Sequence, residues 1–409
     1  MRTGLRNMEK FLVKKLHQLA LDEKPMEICE RKGLGHPDTI CDAIMNQASI
    51  ELSKEYLKRF GTILHHNLDK GLIGAGGSQV AFGGGKITEP MLIVYGDRAT
   101  FEAGGEYVPV DEIAINSTKE WMRTKLRFVD PDEHVKYQSI IKPGAASLQD
   151  IFQRKTKYLG ANDTSAAVGF APLSRTERLI LEVEQHMNSP GFKKEFPESG
   201  EDIKIMGSRN GNSLSLTVAM AFVDRFVESE ADYFRKKSEI YDAVNGFVNS
   251  KYDFDEVNVG LNVLDREGRG IDGLYLTVLG TSADTGDSGQ VGRGNNVIGV
   301  IPLNRPMSSE AAAGKNPVSH VGKIYNFLSY RIADRVCEKV NGVDEVYIWL
   351  VSNIGEPINE PAVCSAQVIP AEGADLKEIT PQIQEVMAYE LEHLDQFCND
   401  LATGKINIL

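Results

Sequence analysis

The 409-residue chain is short of most features that classify a protein at a glance. No stretch approaches the ~18 consecutive apolar residues of a membrane span. The first twenty residues are basic and amphipathic but lack the apolar core of a secretory signal. Five cysteines (Cys29, Cys41, Cys337, Cys364 and Cys398) form no CxxC pair, so neither a disulfide frame nor a zinc site is expected, and reduced thiols point to the cytoplasm. Basic side chains are outnumbered 45 to 58, a net charge of −13, the wrong sign for a general nucleic-acid binder. Two nucleotide-binding signatures are missing as well. Gly74-Ala-Gly76-Gly-Ser-Gln79 lacks the third glycine of GxGxxG. Gly314-Lys315 has Ser309 where a P-loop needs its first glycine and Asn316 where Ser or Thr should meet magnesium. Neither a Rossmann nor a P-loop enzyme is supported.

What is present is ordinary globular composition, 42% hydrophobic and 25% charged, at a length that suggests two or three domains. Helical spacing and Pro37 at the first position predict a helix over 37–57, ended by Gly61. A strand at 91–95, a helix at 111–126, a strand at 134–141 and a short helix near 148–154 follow. Ser174-Arg-Thr-Glu177 has capping-box spacing. Asn210-Gly211 turns a hairpin between 203–206 and the alternating run 214–222, and a helix over 229–248 closes that block. The same idea recurs with alternating strands at 257–263 and 274–278, a helix at 318–340, strands at 346–351 and 363–369, and one last helix at 376–401. Hairpins alternating with helices, without a free linker, predict an α+β fold of several sheets each covered by helices on one face. The division read from this is an N-terminal extension 1–24, then α+β regions 25–160, 161–255 and 256–409, the last containing a glycine-rich loop at 280–316.

That loop carries the most chemistry. Its 37 residues include seven glycines and no aromatic side chain, together with Asp284, Asp287, Arg293, Arg305 and Lys315. Long loops in compact domains are usually functional or disordered, and the apolar run 297–303 wants burial. An ordered glycine-rich loop with spaced Arg and Lys suits a polyanion: close backbone approach, bidentate guanidinium contacts and a point-charge ammonium. The bland reading is a solvated connection. The second candidate is Glu30-Arg-Lys-Gly-Leu-Gly-His36-Pro37-Asp38. His36 stands at the cap of the first helix, where anions are attracted. Asp38 reads either as a carboxylate complementing the helix dipole or as a ligand holding Mg²⁺ against phosphates; spacing alone favours the first. His65-His66 reads as a strand-edge pair, Asp163 as a turn-maker, and Lys142-Pro143-Gly144 as an ordinary turn.

Taken together, ERKGLGHPDTICDAI (30–44), GTSADTGDSGQVGRGNNVIG (280–299) and RPMSSEAAAGKNPVSHVGKIYN (305–326) resemble the archaeal-type S-adenosylmethionine synthetase (methionine adenosyltransferase) family. HHNLDK (65–70), FGGGKITEP (82–90) and NDTSAAVGFAPLS (162–174) fit the same pattern, so the resemblance spans about 25 to beyond 360. It implies three similar sheet-plus-helix domains around a pseudo-threefold axis and a homodimer with active sites between subunits. It implies that ATP, L-methionine and water give S-adenosylmethionine, phosphate and diphosphate. The methionine sulfur attacks C5′ of ATP and the expelled tripolyphosphate is hydrolysed, with Mg²⁺ required and K⁺ commonly activating. By the same resemblance His36 contacts the triphosphate near the breaking bond and Asp38 binds Mg²⁺. Asp287 orients the methionine ammonium and the nucleoside, Arg293 clamps the tripolyphosphate, Lys315 holds phosphate oxygens, and Asp163 lines the adenosine and methionine pocket.

The chain departs from the family in two places. Where members carry a GxGS-like ATP contact it has Ile141-Lys-Pro-Gly-Ala-Ala-Ser147, leaving Gly144 and Ser147 to make it. After Lys315 it lacks the second lysine and the aspartate of the bacterial and eukaryotic branch, with His320 and Lys323 nearby. Residues 1–24 fall outside the resemblance and read as a packing helix.

Overall fold

A computed structural model describes residues 10–144, 152 and 157–408. The expected short helix near 148–154, residue 152 apart, and the segment 145–147 lie outside these residues. Helix α1 (Pro37–Phe60) starts where Pro37 needs no N–H partner and stops where Gly61 takes φ +68°. Helix α2 (Val110–Lys125) lies beside it, and both cover a four-stranded sheet ordered Val135–Ser139, Met91–Tyr95, Leu72–Gly74, Gly289–Gln290. Ile40, Ile44, Leu52, Ile93, Tyr95 and Met122 meet in the core between them.

A second sheet runs Glu256–Leu261, Ser213–Val223, Ser199–Asn210, Met26–Lys32, Ile301–Pro302, with Leu276–Thr277 beside Ser213–Val223. Helices α3 (Arg175–Met187), α4 (Pro190–Glu195) and α5 (Glu230–Asn249) contribute to its core, and Leu179, Val183, Ile240 and Val244 pack against Ile205, Leu216 and Val218. The capping box at Ser174 and Glu177 forms as expected. The third sheet is ordered Phe11–Lys15, Val363–Pro370, Val343–Val351, Ala166–Ala171, and packs on α6 (Val321–Lys339), α7 (Leu376–Glu392) and α8 (Leu394–Thr403). Three sheet-plus-helix units make an α+β fold, the class expected. Chain order is interleaved among them: the second sheet takes strands from residues 26–32, 199–223, 256–277 and 301–302. No helix among the described residues is long and apolar enough to cross a membrane.

Three expectations fail. The pair 257–263 and 274–278 is no hairpin, because both strands lie parallel to Ser213–Val223. Asn262 takes φ +44°, and its side-chain amide exchanges hydrogen bonds with Met220 N and O at 2.8 and 2.9 Å, so the chain leaves the sheet there. The last helix is two: His393 (φ −105°, ψ 23°) breaks it, stacks on Tyr389, and lets α8 turn onto α1. Nor do the described residues of the N-terminal segment form the expected packing helix. Phe11–Lys15 pairs in parallel with Val363–Pro370, because Phe11 and Val13 find an apolar surface there.

Candidate active site

The N-terminus of α1 organises the site. His36 caps it in an extended conformation, its Nδ1 accepting the Asp38 N–H at 3.2 Å. A ring nitrogen that accepts cannot carry the proton, so the neutral ring is protonated at Nε2. Burial lowers the His36 pKa to about 4, against the opposing charge of Asp38. At neutral pH His36 is therefore an uncharged Nε2–H donor beside the unpaired N–H groups of a helix start.

The glycine-rich loop hangs from the same turn. Asp38 Oδ1 accepts Gln290 N–H at 3.0 Å, and one turn further Asp42 Oδ1 accepts Gly292 N–H at 2.8 Å. Lys32 Nζ reaches Asp38 Oδ2 at 2.8 Å and the Arg293 carbonyl at 2.5 Å. The Asn295 side chain brackets the Lys32 backbone, with contacts of 2.9 Å to N and 2.7 Å to O. Two glycines permit this approach: a Cβ on Gly289 would lie 2.2 Å from Pro37 O, and one on Gly294 2.2 Å from Asp42 Oδ2. Burial raises Asp42 to about 7, with the Asp38 charge adding to it. The Arg293 side chain, anchored by its backbone on both sides, is exposed.

Asp287 stands on the exposed shoulder of the loop and contributes to the electrostatics of His36. Its Oδ2 is 3.3 Å from Ser282 Oγ, which also donates to the buried carboxylate of Asp202. Burial lifts Asp202 to about 7, outweighing the Ser282 hydroxyl and N–H bonds that it accepts. Asp284 is not a ligand candidate: it is buried and accepts Val278 and Leu279 N–H groups, which shapes the loop's entry.

His36, Asp38, Asp287 and Arg293 thus come together; Lys315, Asp163 and Gly144 do not join them within one chain. Lys315 is buried, its Nζ 2.8 Å from Asp69 and 2.9 Å from Glu310. Its carbonyl accepts Ser49 Oγ, eleven residues past Asp38 and so about 16 Å along α1. His320 caps α6 and Lys323 donates to Asn46 at 2.7 Å, both buried beside Lys315. Asp163 is exposed ahead of the strand Ala166–Ala171, its carbonyl accepting Ser352 Oγ. Gly144 lies against His65, whose ring a Cβ would meet at 2.4 Å, and Lys142–Pro143 is a short strand paired with Arg98–Ala99 where a turn was expected. His65 and His66 are buried, His66 Nε2 lying 2.8 Å from Ser49 Oγ.

Arg305 is the clear correction within the loop. It reads from sequence as a cation for a polyanion, yet it is buried over Phe170 at 4.2 Å. There it meets Glu177 (2.8 Å), Glu345 (3.1 Å) and the Pro172 carbonyl. Two carboxylates and an aromatic face satisfy its guanidinium. Residues that the sequence reading passed over are Lys32, Asp42, Asp202 and Lys204, the last paired with Glu30 at 3.2 Å. Asp42 had a signal, since it follows Asp38 by four residues on one helix face. Asp202 had none, because a strand distant in sequence delivers it.

Among the described residues no cluster of three His, Cys, Asp or Glu is arranged to hold a metal ion. Asp38 alone suits a hard cation that takes one or two carboxylates and draws its other ligands from phosphate and water, as Mg²⁺ does.

The fold and site define an α+β protein whose glycine-rich loop is tied to the start of a long helix capped by a neutral histidine. The profile of the S-adenosylmethionine synthetase (AdoMet synthetase) family matches residues 9–405, and the chain belongs to that family. It is 47% identical over 377 residues to the "Probable S-adenosylmethionine synthase" of Aquifex aeolicus (91% of this chain, 93% of that one). It is 43% identical over 399 residues to the S-adenosylmethionine synthase of Methanothermobacter thermautotrophicus (98% and 99%). A solved structure titled as an unusual S-adenosylmethionine synthetase from Campylobacter jejuni shares the fold, with a TM-score of 0.60 at 14% identity over 93% of this chain and 94% of that one. The match reaches into the N-terminal segment that sequence reading had left outside.

Proposed function

We propose that this chain makes S-adenosylmethionine from ATP and L-methionine, and then hydrolyses the tripolyphosphate to phosphate and diphosphate. The observation that carries the reading is what gathers at the α1 N-terminus: a neutral Nε2–H donor (His36), a carboxylate (Asp38) and a braced loop whose Arg293 has an exposed side chain. The methionine sulfur is a soft nucleophile that needs no base, so the site's task is electrostatic. Negative charge grows on the oxygen leaving C5′, and fixed donors there lower the barrier. His36 supplies one such donor; Arg293 grips the polyphosphate and holds it for hydrolysis; Asp287 faces the methionine ammonium and the nucleoside. Asp38 would hold Mg²⁺, which offsets phosphate charge when bound, and K⁺ serves as the activating monovalent ion.

We place Lys315, Asp163 and Gly144 in a site completed by a second copy of the chain, which the position of Lys315 beside Ser49, about 16 Å along α1 from Asp38, supports. The three α+β units then correspond to the family's three domains, with sequence boundaries that interleave. A coupled assay for S-adenosylmethionine and phosphate tests the reading directly. Formation of both in near-equal amounts is expected. ATP binding without either product, or phosphate release that ignores methionine, would overturn it.

A further inference from the structure

Lys32 ends the strand Met26–Lys32 and places its ammonium between Asp38 and the main chain of Arg293. An ammonium has three N–H donors. Two are used, on Asp38 Oδ2 and the Arg293 carbonyl, and no other acceptor meets the third among the described residues. The simple explanation is a brace that ties the loop to the strand. That brace is redundant. Asn295 already clasps the Lys32 backbone at both N and O, Thr39 Oγ1 donates to the same carbonyl at 3.0 Å, and Asp38 and Asp42 hold the Gln290 and Gly292 N–H groups. With the loop held by four bonds through Asn295, Gln290 and Gly292, and Thr39 of α1 fastening the strand, the ammonium keeps an unused N–H beside His36 and the Arg293 main chain. Its side chain is mostly buried, so a phosphate oxygen there would meet a cation poorly shielded by water.

We propose that Lys32 is a further substrate-contacting residue of this site, donating its third N–H to a non-bridging oxygen of the triphosphate and acting with Arg293 as a two-cation clamp. This rests on the function proposed above. It assigns to Lys32 binding of the polyphosphate moiety alone, with no contact to adenosine or methionine. Lys32 also pairs with Asp38, so in metal-free solution it is the ammonium, shared between Asp38 and the polyphosphate, that retains the ligand.

The test is calorimetric titration of the full-length protein with inorganic tripolyphosphate in EDTA, with adenosine as the phosphate-free control. Lys32→Gln should weaken tripolyphosphate binding by about 10-fold or more, the effect of one charge-assisted hydrogen bond, and leave adenosine binding within about twofold. Lys32→Arg, which keeps the charge, should recover most of the affinity. Unchanged tripolyphosphate affinity in Lys32→Gln overturns the assignment. Equal weakening of both ligands also overturns it, because that is the signature of a brace. Should Lys32→Gln fail to fold, Lys32→Arg binding tripolyphosphate no better than Arg293→Leu would count against it. The underlying reading fails separately: wild-type protein that makes no S-adenosylmethionine sinks the function whatever Lys32 does.

Discussion

At the residue scale the chemistry depends on protonation states set by burial. His36 is neutral because burial favours its uncharged form, and its cap bond to Asp38 N–H selects the tautomer. His36→Ala should lower kcat by about 10²–10³, the usual cost of one lost preorganised donor, measured as single-turnover S-adenosylmethionine formation. The fold should survive with a loss of about 1 kcal/mol, the worth of a helix cap. The pH dependence has a definite sign. The unfolded His36 binds a proton below about 6.5 and the folded one only below about 4, so between those values the unfolded state carries more protons. Relative to His36→Ala, wild type should therefore gain stability as pH rises from 4 to 6.5 and stay level above, in denaturant titrations at fixed temperature. In the proposed function Arg293 acts on the other step. Arg293→Leu should slow hydrolysis of added tripolyphosphate more than it weakens methionine binding; equal losses would assign the guanidinium to something else.

At the scale of elements, the loop works because glycines let it touch α1. Gly289→Ala would drive a Cβ to 2.2 Å from the Pro37 carbonyl, a backbone atom that cannot swing away. The loop must then lift from the helix start, and activity should fall at least tenfold while the thermal midpoint drops by only a few degrees. A midpoint loss as large as that of a core mutation would show that this contact holds the fold and not the site alone. Arg305 belongs to the opposite kind of contact. It joins Glu177 at the start of α3 to Glu345 on an inner strand of the third sheet and is almost wholly buried. Arg305→Ala strands two buried carboxylates, which should destabilise the protein by about 3–5 kcal/mol in chemical denaturation with kcat of the surviving folded protein little changed. Sequence could not separate Arg305 from Arg293, since both are arginines of one glycine-rich loop. The difference lies in whether acidic partners from distant elements reach them.

At the scale of the molecule, one chain holds two separate clusters: His36, Asp38, Asp287 and Arg293 at one end of α1, and Lys315 with Asp69 and Glu310 beside Ser49. If both serve one triphosphate, the second cluster comes from a partner chain. In a mixed dimer of His36→Ala and Lys315→Ala subunits, one site would then carry both defects and the other neither. Activity should reappear on mixing two inactive variants, approaching half the wild-type value per active site pair. Purified heterodimers without recovered activity would place both clusters in sites built within one chain.

The sequence alone determined what local chemistry can determine. Pro37 and Gly61 bound α1, Ser174 and Glu177 form their capping box, and the turn near Gly211 closes its hairpin, because each depends on groups a few residues apart. The helix-start motif and the loop motif were legible for the same reason, and they marked the family. Tertiary structure alone decided the rest. Asn262 bonding to Met220 turned an expected hairpin into two strands parallel to a third, and an apolar edge drew Phe11–Lys15 into a sheet. Lys32 entered the site through Asp38 and Arg293, while Arg305 left it for Glu177 and Glu345. A charged side chain's role follows from which opposite charges and which solvent surround it, and those neighbours come from segments up to hundreds of residues away.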